Sequence, residues 1–264
     1  MPNESRPAPS RRRPDRRRDR TREALLRAGR ALFAQRDVDA VSIDEIVNLA
    51  DVAKGSFYNH FRDKEAFARE IGAEVRNRVE QAIIAVTADV DDAALHSALA
   101  LCVFARFATR FRDAARVLYK LNDGSTMAQA PINRNMAEVL ERGLSAGRFR
   151  DIDLECAVLV VMGLTVITVR HVLEERLATP PAEIARSMAQ SMLRALGVPP
   201  AQARSLAATA VARIFANGAA VTLPKSTPTS ASSTTTITAI CGLSIGAKPM
   251  NEPMCLSGDT TPST

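Results

Sequence analysis

Residues 42–61 decide the fold of this chain, and they read Ser-Ile-Asp-Glu-Ile-Val-Asn-Leu-Ala-Asp-Val-Ala-Lys-Gly-Ser-Phe-Tyr-Asn-His-Phe. The first four form an S-x-x-E capping box, in which a serine hydroxyl and a glutamate carboxylate each satisfy a free backbone N–H. This signature predicts a short helix from about Ile43 to Ala50. A second short helix follows from about Ala53 to His60, with Phe57 and Phe61 facing inward. Two such helices joined by a tight turn predict a helix-turn-helix.

The outward face of the second helix separates two interpretations of this pattern. A three-helix bundle with a tight corner has the same spacing, but its solvated face would mix acidic with basic side chains. Here the face carries hydrogen-bond donors, one glycine and no acidic residue, a composition that suits contact with a surface of phosphate groups. The residues on that face are Lys54, Gly55, Ser56, Tyr58, Asn59 and His60.

Helical spacing continues on both sides of the motif. Thr21 is placed to cap a first helix that ends beyond Phe33. Within that helix, Gly29 lets another helix approach closely. Asp63 caps a long helix whose apolar stripe begins at Phe67.

The net charge of +6 is concentrated in one short segment. Residues 1–22 carry nine arginines and three acidic residues, so the rest of the chain sums to zero. The four prolines of residues 1–20 oppose a helix, and a disordered basic arm is predicted there. Such an arm binds a polyanion or acts as a solvated tail that aids solubility, and composition leaves both open.

Composition excludes several protein classes. The 264 residues are 46% apolar and 24% charged, which is typical of one or two globular domains. The four cysteines lie far apart without a C-x-x-C pair, which argues against a disulfide scaffold and a zinc ribbon. There is no apolar signal segment at the N-terminus and no run of 18 apolar residues. A soluble cytoplasmic protein without a membrane partner is therefore expected.

Four regions are predicted along the chain. Residues 1–20 form the basic arm and 21–72 the helix-turn-helix domain. Residues 73–217 carry longer helical patterns. Residues 218–264 contain 17 Ser/Thr and five prolines and are predicted to be disordered. The predicted fold is all-α, with a three-helix helix-turn-helix domain, a longer C-terminal helical domain and disordered tails at both ends.

The run from Ala28 to Phe67 resembles the DNA-binding domain of TetR-type bacterial transcription regulators. The Gly-Ser-Phe-Tyr-x-His-Phe sequence of residues 55–61, followed by Lys64-Glu65, carries this similarity. The resemblance implies that the second short helix lies in the major groove. It also implies phosphate contacts at two helix starts, where free N–H groups favour anions. The implied DNA contacts are Ser42, Ile43, Lys54, Gly55, Ser56, Tyr58, Asn59, His60 and Lys64.

The sequence departs from the family pattern near the DNA side. Asp37 and Asp51 stand where the family usually has glycine, and Ala53 replaces the usual Ser or Thr cap. Residues 23–72 have a net charge of −2, so that domain gains little from long-range attraction to DNA. Our hypothesis is that the arm supplies the missing attraction. The arginines assigned to this role are Arg16, Arg17, Arg18 and Arg20.

The second region contains a predicted apolar helix with clustered phenylalanines. The resemblance implies a small-molecule pocket in this region, whereas the spacing alone favours ordinary core. The residues predicted to contact an effector are Phe104, Phe107, Phe111 and His171. Further along, Cys156–Val169 is β-branched enough for a strand, but its length and charged flanks favour a buried helix. The resemblance implies that Leu154–Val172 and Ile184–Leu196 pair across a two-fold axis in a homodimer.

No catalytic constellation is visible in the sequence. It lacks a Gly-rich phosphate loop, a G-x-S-x-G elbow and an H-E-x-x-H pair, and its three histidines are scattered. We expect no enzyme, cofactor or metal, and partners that are double-stranded DNA, an unknown small-molecule effector and a second copy. The predicted function is a ligand-responsive repressor that binds a palindromic operator. Two alternatives stay open: an architectural DNA-binding protein driven by the arm, and a hydrolase or transferase on a helical scaffold.

Overall fold

A computed structural model describes residues 13–121, 126–128, 133–174 and 177–216, and these residues form α-helices with no strand among them. The helices are α1 (Arg13–Gln35), α2 (Ile43–Ala50), α3 (Lys54–Tyr58), α4 (Lys64–Thr87), α5 (Ala93–Arg110), α6 (Arg112–Lys120), α7 (Arg134–Ser145), α8 (Leu154–Val172), α9 (Pro181–Ala195) and α10 (Pro200–Val211), with a π-helical turn at Ala212–Ala216. The all-α prediction is confirmed. The predicted tail at 218–264 and the first twelve residues of the arm lie outside the described residues.

The first helix begins earlier than predicted. It starts at Arg13 rather than at Thr21, so the prediction of a disordered arm is wrong from Arg13 onward. Pro14 does not prevent the helix, because proline fits the first turn, where its missing N–H would have no partner. Thr21 is not an N-cap, since its hydroxyl donates to the carbonyl oxygen of Arg17 at 3.1 Å inside the helix. Residues 16–20 therefore lie on a continuous helix.

The capping box at the start of α2 is confirmed. Ser42 is extended at φ −88°, and its Oγ accepts from the backbone N–H of Glu45 at 3.2 Å. The backbone N–H of Ser42 donates in return to Oε2 of Glu45 at 2.9 Å. Each partner thereby satisfies one of the free backbone groups of the first turn.

The turn between α2 and α3 uses an aspartate in the left-handed conformation. Asp51 has φ 54° and ψ 51°, and its N–H donates to the carbonyl oxygen of Asn48 at 3.2 Å. Asp37 keeps a negative φ, so only the second of the two glycine replacements takes up the conformation that glycine favours. Helix α3 is shorter than predicted, and Ala53 provides no side-chain cap.

Aromatic rings form the core beneath α3. Phe33, Phe57 and Phe67 are fully buried and Phe61 nearly so. The Phe61 and Phe67 ring centroids lie 4.7 Å apart, and those of Phe57 and Phe67 lie 5.2 Å apart. Gly29 admits this packing, because a Cβ there would lie 2.4 Å from Cζ of Phe67. The predicted close approach at Gly29 is confirmed.

Helix α5 is the centre of the C-terminal helical domain. It contacts α4 and every helix from α6 to α10. Its small side chains, including Ala94, Ala98 and Ala105, are fully buried and let these neighbours approach closely. The carboxylate of Asp92 caps α5 and also holds the guanidinium of Arg148 through two hydrogen bonds of 2.9 and 3.0 Å.

Helix α6 joins the two domains. It is bent by 118° from α5, and its first residue, Arg112, donates to the carbonyl oxygens of Val172 and Leu173 at the end of α8. At its other end, Nζ of Lys120 lies 3.1 Å from Oδ1 of Asp37, directly after α1. Helix α6 therefore touches the end of α8 and the end of α1 at once.

The segment that was ambiguous between strand and helix forms α8, so the helical prediction is confirmed. By length and hydropathy α8 is able to cross a membrane, which is weak evidence because core helices pass the same test. Its outer face remains apolar: Leu159 is 44% exposed and Ile167 is 46% exposed. Gly163 lies between them, and a Cβ there would meet nothing within 4 Å.

Candidate nucleic-acid interface

Helix α3 holds its polar residues outward above the buried aromatic core. Phe57 is fully buried and anchors the helix, and the ring of Tyr58 packs edge-on against it at 5.5 Å. The Tyr58 side chain is nevertheless 54% exposed. The other predicted contacts on this face are exposed at Lys54, Gly55 and Asn59 and half-buried at Ser56 and His60. The predicted face thus exists as one surface, and no residue of α3 itself is acidic.

Gly55 is not required by the packing of this chain. A Cβ at Gly55 would meet no atom within 4 Å, in contrast to the crowded position at Gly29. The small residue therefore leaves an open space on the outer side of α3. A backbone that approaches from outside would gain closer contact at this point.

Lys54 is paired with a carboxylate that sequence reasoning did not assign to the site. Nζ of Lys54 lies 2.7 Å from Oδ1 of Asp44, which belongs to the first turn of α2. Both side chains are more than half exposed. The hydrogen bond and charge of Asp44 raise the pKa of Lys54, so the amine stays protonated. Only the tertiary approach of α2 and α3 reveals this pair.

Ser42 and Glu45 are hydrogen-bonded to each other at the start of α2. The Ser42 hydroxyl donates to Oε2 of Glu45 at 2.9 Å, and Arg36 donates to Oε1 at 2.6 Å. The backbone N–H of Ser42 and then the guanidinium of Arg36 lower the pKa of Glu45 to about 2. Ile43, the first helical residue, is half-buried. Ser42 is exposed, but in this conformation its donors serve the cap.

Lys64 is likewise bound within the chain. Its ammonium donates to the carbonyl oxygens of Val41 at 3.1 Å and Asp39 at 3.4 Å. The side chain is half-buried and fastens the start of α4 to the segment before α2. Its charge remains on the same side of the domain as the start of α2.

The N-terminal part of α1 lies beside the end of α3. Burial lowers the pKa of His60, and the positive charges of Arg18 and Arg22 lower it further, so the imidazole is neutral at pH 7. The guanidinium of Arg22 stacks over the ring of Phe61 at 5.6 Å and pairs with Glu70. The four arginines of the hypothesis, Arg16, Arg17, Arg18 and Arg20, are all exposed.

The four residues that are predicted to contact an effector differ in how far they are buried. Phe107 is 1% exposed and packs as core, with its ring 5.6 Å from that of Phe111. Phe104 and Phe111 are half-buried, and His171 is exposed in the last turn of α8. Their role in binding an effector stays a prediction.

A cleft that sequence reasoning missed opens beside α6. Its volume is about 470 Å³, and it lies between the ends of α1 and α8 and the outer side of α6. The lining residues are Ala34, Gln35, Arg116, Tyr119, Lys120, Arg170, Leu173 and Glu174. No sequence signal brings these three segments together, because they are far apart along the chain.

Both domains match described protein families. Residues 25–71 match the bacterial regulatory proteins of the tetR family, and residues 91–209 match the tetracyclin repressor-like C-terminal domain. The chain is 49% identical over 47 residues to the HTH-type transcriptional repressor NemR of Escherichia coli K12, which covers 18% of this chain and 24% of NemR. It is 25% identical over 165 residues to the HTH-type transcriptional repressor KstR2 of Mycolicibacterium smegmatis, which covers 56% of this chain and 78% of KstR2.

Solved structures extend the similarity over most of the chain. The structure of RolR in complex with resorcinol is similar with a TM-score of 0.52 and 27% identity, covering 73% of this chain and 95% of RolR. A γ-butyrolactone receptor, an ArpA-like protein, shares the fold with a TM-score of 0.51 and 22% identity, covering 75% of this chain and 99% of the receptor. The helix-turn-helix and the C-terminal domain thus occur together in these relatives.

Proposed function

The chain belongs to the TetR family of bacterial transcription regulators, and on that basis we propose that it is a ligand-responsive repressor that binds a palindromic operator as a homodimer. The observation that carries the proposal is the outward face of α3, which is polar, free of acidic residues and supported from below by Phe57. Members of this family regulate transcription by binding DNA, which is not an enzymatic activity. The bacterial chromosome lies in the cytoplasm, and we propose that compartment.

Helix α3 is the element that we propose enters the major groove. Lys54 and Asn59 offer donors at its two ends, and Tyr58 stands out far enough to reach a backbone phosphate or a base edge. The open space at Gly55 lets the duplex approach the helix axis. Ser42, Ile43 and Lys64 would flank this contact, once Ser42 or Lys64 exchanges a bond within the chain for a phosphate.

The start of α1 supports the proposed DNA contact by its position. Arg18 is close enough to His60 to affect its pKa, so this turn of α1 borders the end of α3. A helix carries Arg16, Arg17 and Arg20 with it as a rigid extension rather than as a flexible arm. Rigid cations lose less entropy on binding than cations of a disordered arm. We propose that they neutralise phosphates beside the groove that α3 occupies.

The apolar outer face of α8 supports a homodimer. Leu159, Gly163 and Ile167 are spaced by four residues and therefore lie on one side of the helix. A second copy related by a two-fold axis would cover the same side chains in both subunits. The gap at Gly163 would let the two α8 helices cross closely.

Helix α6 offers a route from an effector to the DNA. An effector bound near Phe104, Phe111 and His171 would contact α5 and α8. Arg112 of α6 is hydrogen-bonded to the end of α8. The Lys120–Asp37 pair then ties α6 to the end of α1. The effector must weaken DNA binding by the same factor by which DNA weakens effector binding.

Selection of bound DNA from a random pool tests the proposed function. A repressor of this kind should recover a palindrome whose half-sites are centred about 34 Å apart, or a multiple of that distance, and bind it about 10³-fold or more tightly than random DNA at physiological salt. Recovery of no common sequence, with a ratio near one, would support an architectural protein driven by the arginines. A monomer by light scattering would contradict the two-fold geometry.

A further inference from the structure

Asp44 places a carboxylate on the surface that is proposed to face the duplex. It lies in the first turn of α2, and its side chain is 61% exposed. Nearby carboxylates have structural partners: Glu45 closes the capping box, and Asp63 caps α4 by accepting from the N–H of Ala66 at 2.6 Å. Asp44 is instead bonded to Lys54, which is itself a proposed DNA contact.

The pair does little for the fold. Exposed ion pairs between flexible side chains contribute little to stability, because water screens them and the side chains lose entropy. A carboxylate at this position also opposes the approach of phosphates. Asp44 therefore lowers DNA affinity unless it makes a favourable contact of its own. The contact that a carboxylate is able to make with DNA is a hydrogen bond accepted from an amino group of a base.

The major-groove edges of the base pairs limit which base a carboxylate accepts from. Cytosine presents the N4 amino group as a donor, and its partner guanine presents O6 and N7 as acceptors beside it. Adenine also has a donor at N6, but this donor lies between two acceptors, its own N7 and O4 of the paired thymine, whereas cytosine N4 has an acceptor on one side only. A protein carboxylate that lies next to an ammonium group therefore complements a C·G pair best, because the carboxylate accepts from cytosine N4 and the ammonium donates to guanine.

The Asp44–Lys54 pair has this complementary pattern. Oδ1 of Asp44 and Nζ of Lys54 are held 2.7 Å apart by two helices that share the proposed DNA face. Asp44 retains a second oxygen, and the ammonium of Lys54 retains further N–H donors. We propose that Asp44 is a specificity-determining residue that accepts from cytosine N4 while Lys54 donates to the paired guanine. This inference rests on the proposed operator binding and names one base pair of each half-site.

Selection of DNA by the full-length protein and its variants tests the inference. The native protein should recover one invariant C·G pair at the same place in each half-site. Asp44→Ala should reduce the preference for that pair by about 5- to 150-fold, the usual range for one good base contact. Asp44→Asn should move the preference to adenine, because an amide pairs with adenine N6 and N7. Lys54→Ala should reduce the preference for that pair without abolishing it, because the contact to guanine is lost while Asp44 still accepts from cytosine N4.

The matched control removes an exposed carboxylate elsewhere. Asp89→Asn breaks the Asp89–Arg213 pair of 2.5 Å in the C-terminal domain and changes the net charge equally, so base preferences should not change. If Asp44→Ala binds every sequence more tightly with unchanged preferences, Asp44 only masks Lys54 and the inference is wrong. If the native protein recovers no common sequence, operator binding fails as well, so the two failures are distinguishable. Circular dichroism of each variant verifies that the helices are intact.

Discussion

Gly29 and Phe67 are in direct contact across the packing of α1 on α4. A Cβ on Gly29 would lie 2.4 Å from Cζ of Phe67 and 2.6 Å from Cδ1 of Ile71, and both side chains are fully buried. The Phe67 ring has no free space to move into, because Phe33 and Phe61 pack against it. This contact makes the distance between the two helices sensitive to a single methyl group.

Gly29→Ala should therefore destabilise the protein. Overpacking costs about 1–3 kcal/mol, and the better helix propensity of alanine offsets about 1 kcal/mol of it. A net decrease of about 1 kcal/mol in the free energy of unfolding is expected, measured by urea denaturation without DNA. An unchanged or higher midpoint would contradict the close packing.

Gly55→Ala should have the opposite pattern. The added methyl group meets nothing within 4 Å, so stability should be unchanged or slightly higher. Affinity for the selected operator should decrease, because the methyl group occupies the space that the duplex would use. The measurement is a fluorescence-anisotropy titration with labelled operator. Equal affinity would show that no DNA backbone comes close to Gly55.

Removal of the α1 arginines should reduce the salt dependence of DNA binding. Each phosphate contact contributes about 0.9 to the slope of log K against log salt, so alanine at all four positions should lower the slope by up to about 3.6. The variant carries alanine at Arg16, Arg17, Arg18 and Arg20. A control variant removes four exposed arginines of the C-terminal domain, Arg134, Arg186, Arg194 and Arg204. Equal slopes for both variants would show that α1 does not contact phosphates.

The capping box should make stability depend on pH through Glu45. Its pKa is lowered to about 2, so the stabilisation is complete above the ordinary value near 4.5 and is lost as the pH falls toward 2. Glu45→Gln keeps a side chain that reaches the Ser42 N–H but does not titrate. The difference in unfolding free energy between native and variant protein should shrink between pH 4.5 and pH 2. A difference that stays constant over this range would contradict the assignment.

A charge on the outer face of α8 should prevent dimerisation. Leu159→Glu places a carboxylate on the apolar stripe, and light scattering should give the mass of a monomer with weakened binding to the full palindrome. Ile84→Glu serves as the control, because Ile84 is 53% exposed on α4, away from the stripe. If Leu159→Glu remains a dimer, the two-fold contact lies elsewhere.

Local signals in the sequence predicted much of the fold. The capping box at Ser42, the cap at Asp63 and the inward aromatic residues were all placed correctly, because they depend on residues three or four apart in one helix. The sequence predicts too late a start for α1, because proline opposes a helix interior but is compatible with the first turn, where Pro14 stands. Helix α3 is shorter than the predicted span from Ala53 to His60, and Ala53 has no side chain that could cap its start.

The sequence by itself determined that α2 and α3 form, that α3 turns an acid-free face outward and that Phe57 anchors it, since caps and periodicity act within one helix. Only the tertiary structure decided which partners the charged groups take. Lys54 meets Asp44, Lys64 meets the carbonyl of Val41, and Arg112 meets the end of α8. These contacts join segments that different helices bring together, and no local pattern specifies the distance between two helices that pack through a shared core.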